Sequence, residues 1–160
     1  MNPRRQIAGC VAAVIALAAL ATPITASAAK KPVCEFSATV TMYPAIAPAP
    51  ARGGAGLYSL RGSATCTRGA KRSTYGLNGN YGLYSNTVCG VETLSGDMSF
   101  LGDPQFHSRY RMDVVGGAAR ITSELPQGYG TAAVEAQPAG ACLTKPASAF
   151  QVTGVIAFLS

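Results

Sequence analysis

Residues 109–124 read Arg109-Tyr110-Arg111-Met112-Asp113-Val114-Val115-Gly116-Gly117-Ala118-Ala119-Arg120-Ile121-Thr122-Ser123-Glu124. Apolar and polar side chains alternate on both sides of Gly116-Gly117, a two-residue turn of the kind that reverses an antiparallel hairpin. Pairing Val115 with Ala118 sets Met112 against Ile121 and Val114 against Ala119 on one face. The same register sets Asp113 against Arg120 and Arg109 against Glu124 on the other. Opposite charges directly across a ladder support it by roughly a few tenths of a kcal/mol each. Apolar partners and charged partners therefore agree on one hairpin.

The same period of two extends outward in both directions. Cys34, Phe36, Ala38, Val40 and Met42 share one face of a first strand, and Tyr58, Leu60, Gly62, Ala64 and Cys66 share one face of a second. Pro44 to Gly56, with three prolines and three glycines, reads as a long irregular connection between them. If these strands are antiparallel neighbours and Tyr43 meets Leu57, Cys34 falls opposite Cys66. In a third strand Tyr75, Leu77, Gly79, Tyr81 and Leu83 are expected on one face; Asn78-Gly79 could instead turn the chain there. A fourth strand from Cys89 to Leu101 points Leu94, Met98 and Phe100 inward and ends at Gly102-Asp103-Pro104. After the hairpin come a strand near Tyr129 to Ala136 and a last one from Phe150 to Leu159. Frequent turns and no convincing helix give an all-β domain, an antiparallel sandwich or up-and-down barrel of about seven to eight strands.

The chain has 160 residues, 13 Lys and Arg, 7 Asp and Glu, one His, no Trp and five Cys. Its first residues are an export signal in form: Arg4 and Arg5, an apolar run from Ile7 to Ala21, and Ala26-Ser27-Ala28 before a cleavage point. The run is too short to span a bilayer, which takes roughly 20 residues. Residues 1–28 are thus expected to leave as a signal peptide, and residues 29–160 to form a single secreted β domain. Cys10 goes with the leader, and the net charge falls from +6 to a modest +4. Specific nucleic-acid binding is not expected on that charge, nor is membrane insertion after signal cleavage. The outward positions carry Ser37, Thr39, Thr41, Arg109 and Arg111, where lipid requires apolar groups.

Four cysteines remain, Cys34, Cys66, Cys89 and Cys142. An even number in an exported chain reads as two disulfides, and the hairpin register favours Cys34–Cys66 with Cys89–Cys142. Each closure is worth about 4 kcal/mol at most by loop entropy. A four-thiolate zinc site needs closely spaced Cys pairs, which the chain lacks; neither a metal nor another cofactor is expected.

Catalytic options are few. His107 is the single histidine, on the outer face and without a nucleophile motif. Glu35, Glu92, Asp97, Asp103 and Glu135 are carboxylates that nothing in the sequence groups. Gly53-Gly54-Ala55-Gly56 precedes a strand, so it is not a phosphate-cradling loop, which opens a helix. Binding has better support. Arg61, Arg68, Lys71 and Arg72 gather around one turn, and Tyr75, Tyr81 and Tyr84 follow. Rings beside cations can stack on sugars or bases while the charge meets phosphate or carboxylate.

The leader, the alternating strands with glycine at core positions, the four cysteines and the final C-terminal strand resemble uncharacterised small secreted β-rich proteins of high-GC bacteria. That resemblance implies no functional residues. Streptavidin-like barrels are similar in size but use tryptophans in their ligand pocket, and small secreted protease inhibitors share only size and two disulfides. The expectation is a non-catalytic secreted binding or structural domain, whose partner is a cell-surface polymer, a glycan, a small ligand or a secreted protein. An inhibitor of a secreted enzyme, using the Pro44 to Gly56 loop, is the alternative; a small carboxylate-dependent hydrolase is the second.

Overall fold

A computed structural model describes residues 31–48, 54–89, 91–139 and 141–159. The expected leader, residues 1–28, lies outside them. Eight strands follow one another in sequence: β1 (Val33–Ile46), β2 (Gly54–Arg68), β3 (Lys71–Val88), β4 (Val91–Leu101), β5 (Phe106–Val115), β6 (Ala118–Leu125), β7 (Gln127–Gln137) and β8 (Ala147–Phe158). One helical turn, α1 (Ala141–Thr144), precedes β8. Every strand pairs antiparallel with its sequence neighbour, and β8 pairs with β1, so the sheet is a closed up-and-down barrel and not a sandwich. Among the described residues no helix is long and apolar enough to cross a membrane.

Period-two alternation sends one side chain in two into the barrel, and the interior is filled with them. Phe36, Val40 and Met42 of β1 meet Leu94 and Met98 of β4, Met112 and Val114 of β5, Ile121 of β6 and Phe150, Val152, Ile156 and Phe158 of β8, all buried. The expected register of the first hairpin holds from Tyr43 opposite Leu57 down to Cys34 opposite Cys66. Gly116 and Gly117 take φ values of +59° and +81°, the left-handed pair that a hairpin turn of this type requires. Val115–Ala118, Val114–Ala119, Asp113–Arg120 and Met112–Ile121 pair as read from the sequence.

The pairing of Arg109 with Glu124 does not occur. A bulge makes Glu124 the extra residue, so Arg109 faces Leu125 and forms its ion pair with Asp97 of β4, at 3.4 Å. The irregularity sits over a buried hydroxyl pair: Ser108 and Ser123 meet at 2.8 Å, and Ser123 also donates to the carbonyl of Pro126. Asp113 lies opposite Arg120, yet its carboxylate is held by Arg111 on its own strand and by the hydroxyl of Thr93. The Arg111 hydrogen bond keeps the Asp113 carboxyl below its ordinary range.

The third strand is continuous through Asn78-Gly79, but it changes face. Leu60 pairs with Gly79 and Tyr58 with Gly82, so Asn80 and Tyr81 together oppose Ser59. This bulge turns Leu83 out, 60% exposed, and Tyr84 in, 3% exposed, reversing the face expected for Leu83. The connection between β1 and β2 is also shorter than the expected Pro44 to Gly56. Ile46 still pairs, with Ala147 of β8, and Gly54 pairs with Thr87. The Tyr84 hydroxyl donates to the Pro44 carbonyl at 2.6 Å, which ties the proline into the wall.

The same bulge creates the central feature of the interior. Tyr58 faces Gly82, and Tyr110 faces Gly96. A Cβ on Gly82 would stand 2.2 Å from Cζ of Tyr58, and one on Gly96 would stand 2.9 Å from its hydroxyl. Two bare backbones thus let the Tyr58 ring lie along the inner wall over β3 and β4, where its hydroxyl meets that of Tyr110 on β5 at 2.5 Å. Burial pushes the Tyr58 phenol up to about 12 and raises that of Tyr110 well above its ordinary value. Raised folded-state values favour the neutral form. Their contribution to stability is present below pH 10, where an unfolded tyrosine keeps its proton, and is lost as pH climbs through 10 toward 12. The fall of urea midpoint from pH 9 to 12, tracked with tyrosinate absorbance, is expected to be steeper in the native protein than in a Tyr58→Phe, Tyr110→Phe variant; equal slopes count against the pair.

Two disulfides close the structure at opposite ends, Cys34–Cys66 and Cys89–Cys142, as the sequence favoured. Cross-links of this kind belong to an oxidising, extracytoplasmic environment. The Cys34–Cys66 end also carries the β2–β3, β4–β5 and β6–β7 turns. At the other end, Cys142 in α1 ties the last connection to Cys89 in the β3–β4 turn, whose amide also donates to the Ala47 carbonyl at 3.1 Å.

Candidate binding site at the basic end of the barrel

In an up-and-down barrel alternate turns share one end. That geometry gathers residues far apart in sequence around the Cys34–Cys66 disulfide: Pro32 before β1, Arg68 at the end of β2, Lys71, Ser73 and Tyr75 at the start of β3, Pro104, Phe106, Pro126, and Phe158 at the end of β8. They line a cavity of about 440 Å³, within the range of small-molecule sites, roughly 300–1,000 Å³.

Its inner wall is aromatic. Tyr75 stands edge-on to Phe106, with ring centres 5.4 Å apart, and edge-on to Phe100 at 6.0 Å. Phe100 and Phe106 stack at 4.1 Å, and Phe158 meets Phe106 edge-on at 5.8 Å. Phe100 is 1% exposed and packs behind these rings. The rim is cationic: Arg68 and Lys71 are direct partners across the β2–β3 hairpin, in phase with the inward-facing Cys66 and Tyr75. Among the described residues that line it none is a carboxylate; Asp103 and Glu124 stand in or beside the neighbouring turns.

Of the binding residues picked from sequence, the fold brings together Arg68, Lys71 and Tyr75. Arg72 is out of phase with them and lies on the outer wall opposite Thr67. Arg61 is also on the outer wall, between Thr39 and Asn78. Tyr84 is inside but at the opposite end, bonded to Pro44. Tyr81 lies in the β3 bulge, and its side chain is outside the described part of the structure. The expected cluster of seven therefore splits: three residues form the rim and wall of the cavity, and the other four lie elsewhere on the fold. Sequence reading missed Phe106, Phe158, Pro104 and Pro126. The parity of turns in a barrel would have placed them there once barrel was chosen over sandwich.

The remaining chemistry-bearing groups are dispersed. His107 is on the outer wall with its Nδ1 3.0 Å from the Ser99 hydroxyl. Glu35 is exposed on β1, Asp97 is paired with Arg109, Asp103 is in a turn, and Glu135 lies opposite Gln151 on β7. Glu92 alone points inward, 3% exposed, beside Met42, Leu94 and Val114. Residues 49–53, the middle of the loop that an inhibitor would insert, are outside the described residues. The outer wall also carries a shallow trough of about 670 Å³ across β6, β7 and β8, bordered by Arg120, Tyr129 and Val155. It has no floor below the strand surface.

No protein-family model, curated protein or solved structure matches the chain, so what the basic end does rests on its own geometry.

Proposed function

We propose that this is a secreted, non-catalytic binding barrel whose ligand enters the end closed by Cys34–Cys66. The observation that carries this reading is a 440 Å³ cavity with an aromatic wall, placed where three turns and the chain's first strand converge. Elsewhere the interior is packed with side chains, whereas here Tyr75, Phe106 and Phe158 border open space. A concave recess with a mostly apolar lining, in an otherwise filled barrel, is the kind of site a small ligand occupies. The two disulfides and the export-signal form of the first 28 residues support secretion.

The test uses a neutral apolar fluorophore, N-phenyl-1-naphthylamine, on the exported protein. It is expected to bind with enhanced fluorescence, and Ser73→Phe, which fills the cavity from its wall, is expected to weaken it more than tenfold with an unchanged melting temperature. Retained binding in a folded Ser73→Phe protein would exclude this end as the site. Mass spectrometry of small molecules extracted from protein purified from its native medium then identifies what it carries.

A further inference from the structure

We infer that the outer wall carries a second binding site, one that takes a ring of a neutral saccharide chain. It is independent of the end cavity, and the β3 bulge builds it.

Beyond the bulge Leu83 turns outward and completes a cross-strand row: Tyr43 of β1 lies opposite Leu57 of β2, and Leu57 opposite Leu83 of β3. The three side chains are 60%, 42% and 60% exposed. Large apolar side chains scattered singly over a surface need no explanation, but a contiguous set marks an interaction site. This row stands toward the Cys89–Cys142 end, away from the basic cavity. The adjoining row is of another kind. Thr41 pairs with Ser59, and the bulge sets Asn80 beside Ser59, the re-aiming of a side chain that bulges bring about near functional sites. Both rows border a recess of about 320 Å³, lined by Tyr43, Leu57, Tyr58, Ser59 and Asn80. That is the small end of the range of ligand sites, roughly 300–1,000 Å³.

The lining selects the class of ligand. Tyr43 and Leu57 offer an apolar surface, one part of it a flat ring. The Ser59 hydroxyl and the Asn80 amide each donate and accept hydrogen bonds. A hydrocarbon would cover these two groups without replacing the hydrogen bonds they make to water, which costs affinity. None of the described lining residues is Asp, Glu, Lys or Arg, and Arg61 stands one row further along β2, opposite Thr39 and Asn78. A charged ligand would lose hydration here against no opposite charge in the lining. A neutral sugar ring satisfies all three conditions. Its C–H face is apolar and stacks on an aromatic ring, and the hydroxyls around its edge donate and accept. Because the site is on the outer wall, a sugar in the middle of a long chain reaches it as readily as one at the end.

The experiment measures binding of the exported protein to immobilised cellohexaose, laminarihexaose, maltohexaose, mannohexaose and xylohexaose. At least one is expected to bind, and added salt should not weaken it, since no ion pair is involved. Tyr43→Ala is expected to lower that affinity about tenfold, the loss of one stacked aromatic ring. Tyr43→Phe keeps the ring and should stay close to the native affinity, and Asn80→Ala should fall between the two. Arg61→Ala, and Tyr129→Ala at an exposed tyrosine on β7, are expected to change nothing. All of these side chains are at the surface, so the melting temperature of each variant should match that of the native protein.

Binding to none of the five sugars, or native affinity in Tyr43→Ala, would overturn the site. Loss of binding on adding salt, or an Arg61→Ala loss as large as the Tyr43→Ala loss, would overturn the neutral class of ligand. An equal loss in Tyr129→Ala would show that any exposed ring on the wall serves, and would overturn the recess as the cause. None of these outcomes bears on the end cavity, where N-phenyl-1-naphthylamine is expected to bind the Tyr43→Ala protein as it binds the native one.

Discussion

A Gly82→Ala protein is expected to be about 4 kcal/mol less stable than the native chain, although it gains a single methyl group. Overpacking a filled interior costs about 1–3 kcal/mol. Here the methyl would stand against Cζ, Cε1 and the hydroxyl of Tyr58, a ring fixed at both ends. If Tyr58 moves, it leaves the Tyr110 hydroxyl buried without its partner, a further loss of about 1–3 kcal/mol. Urea unfolding should show the midpoint falling with little change in slope. Combining Gly82→Ala with Tyr58→Leu makes room for the methyl, so the double variant should be more stable than the two separate losses add up to. A Gly82→Ala loss under 1 kcal/mol, or simple additivity, would mean that the two phenols do not depend on the bare backbone beneath them.

The second large effect separates the disulfides. Cys89 and Cys142 are 53 residues apart, and Cys34 and Cys66 are 32 apart. Replacing either pair with alanines should therefore cost similar stability, about 4 kcal/mol as an upper figure from loop entropy. Their effects on binding should differ. Cys34 and Cys66 line the basic cavity, while Cys89 and Cys142 join α1 to the β3–β4 turn at the far end. At a temperature where both variants are folded, the Cys34→Ala, Cys66→Ala protein should bind N-phenyl-1-naphthylamine more weakly, and the Cys89→Ala, Cys142→Ala protein should bind it as the native protein does. Matching affinities in the two variants would remove the Cys34–Cys66 end from consideration.

The strands and their order were legible because alternation is a local signal that the barrel satisfies at nearly every position. Cys34 to Met42 and Tyr58 to Cys66 needed one pairing, Tyr43 with Leu57, to fix the rest and the first disulfide with it. The two register errors share one cause. A bulge adds one residue to one strand and exchanges the faces beyond it, and alternation does not say where it falls. In β3 the pattern from Tyr75 runs on to Leu83 without a visible break, yet Asn80 and Tyr81 share one partner, and Tyr84 and Gly82 turn inward instead. In β6 the extra residue is Glu124, which looked like the natural mate of Arg109. Its bulge is tied to a buried serine pair that only the folded barrel brings together. The candidate site was half legible for another reason. Arg68 and Lys71 share a face by parity, and Arg72 does not; counting residues along the turn separates them. Phe106 and Phe158 could not be joined to them without knowing that the sheet closes.

Closure also limits how another protein can engage this one. Each strand already has a hydrogen-bonded neighbour on both sides, including β1 and β8 with each other. Among the described strands none lies at an edge of the sheet, so a partner finds no full-length edge on which to lay down a strand of its own. Recognition must therefore use side chains, either on the outer wall or at the two rims. Closure also keeps the long, valine- and isoleucine-bearing β8 from templating aggregation, since β1 and β7 flank it on both sides.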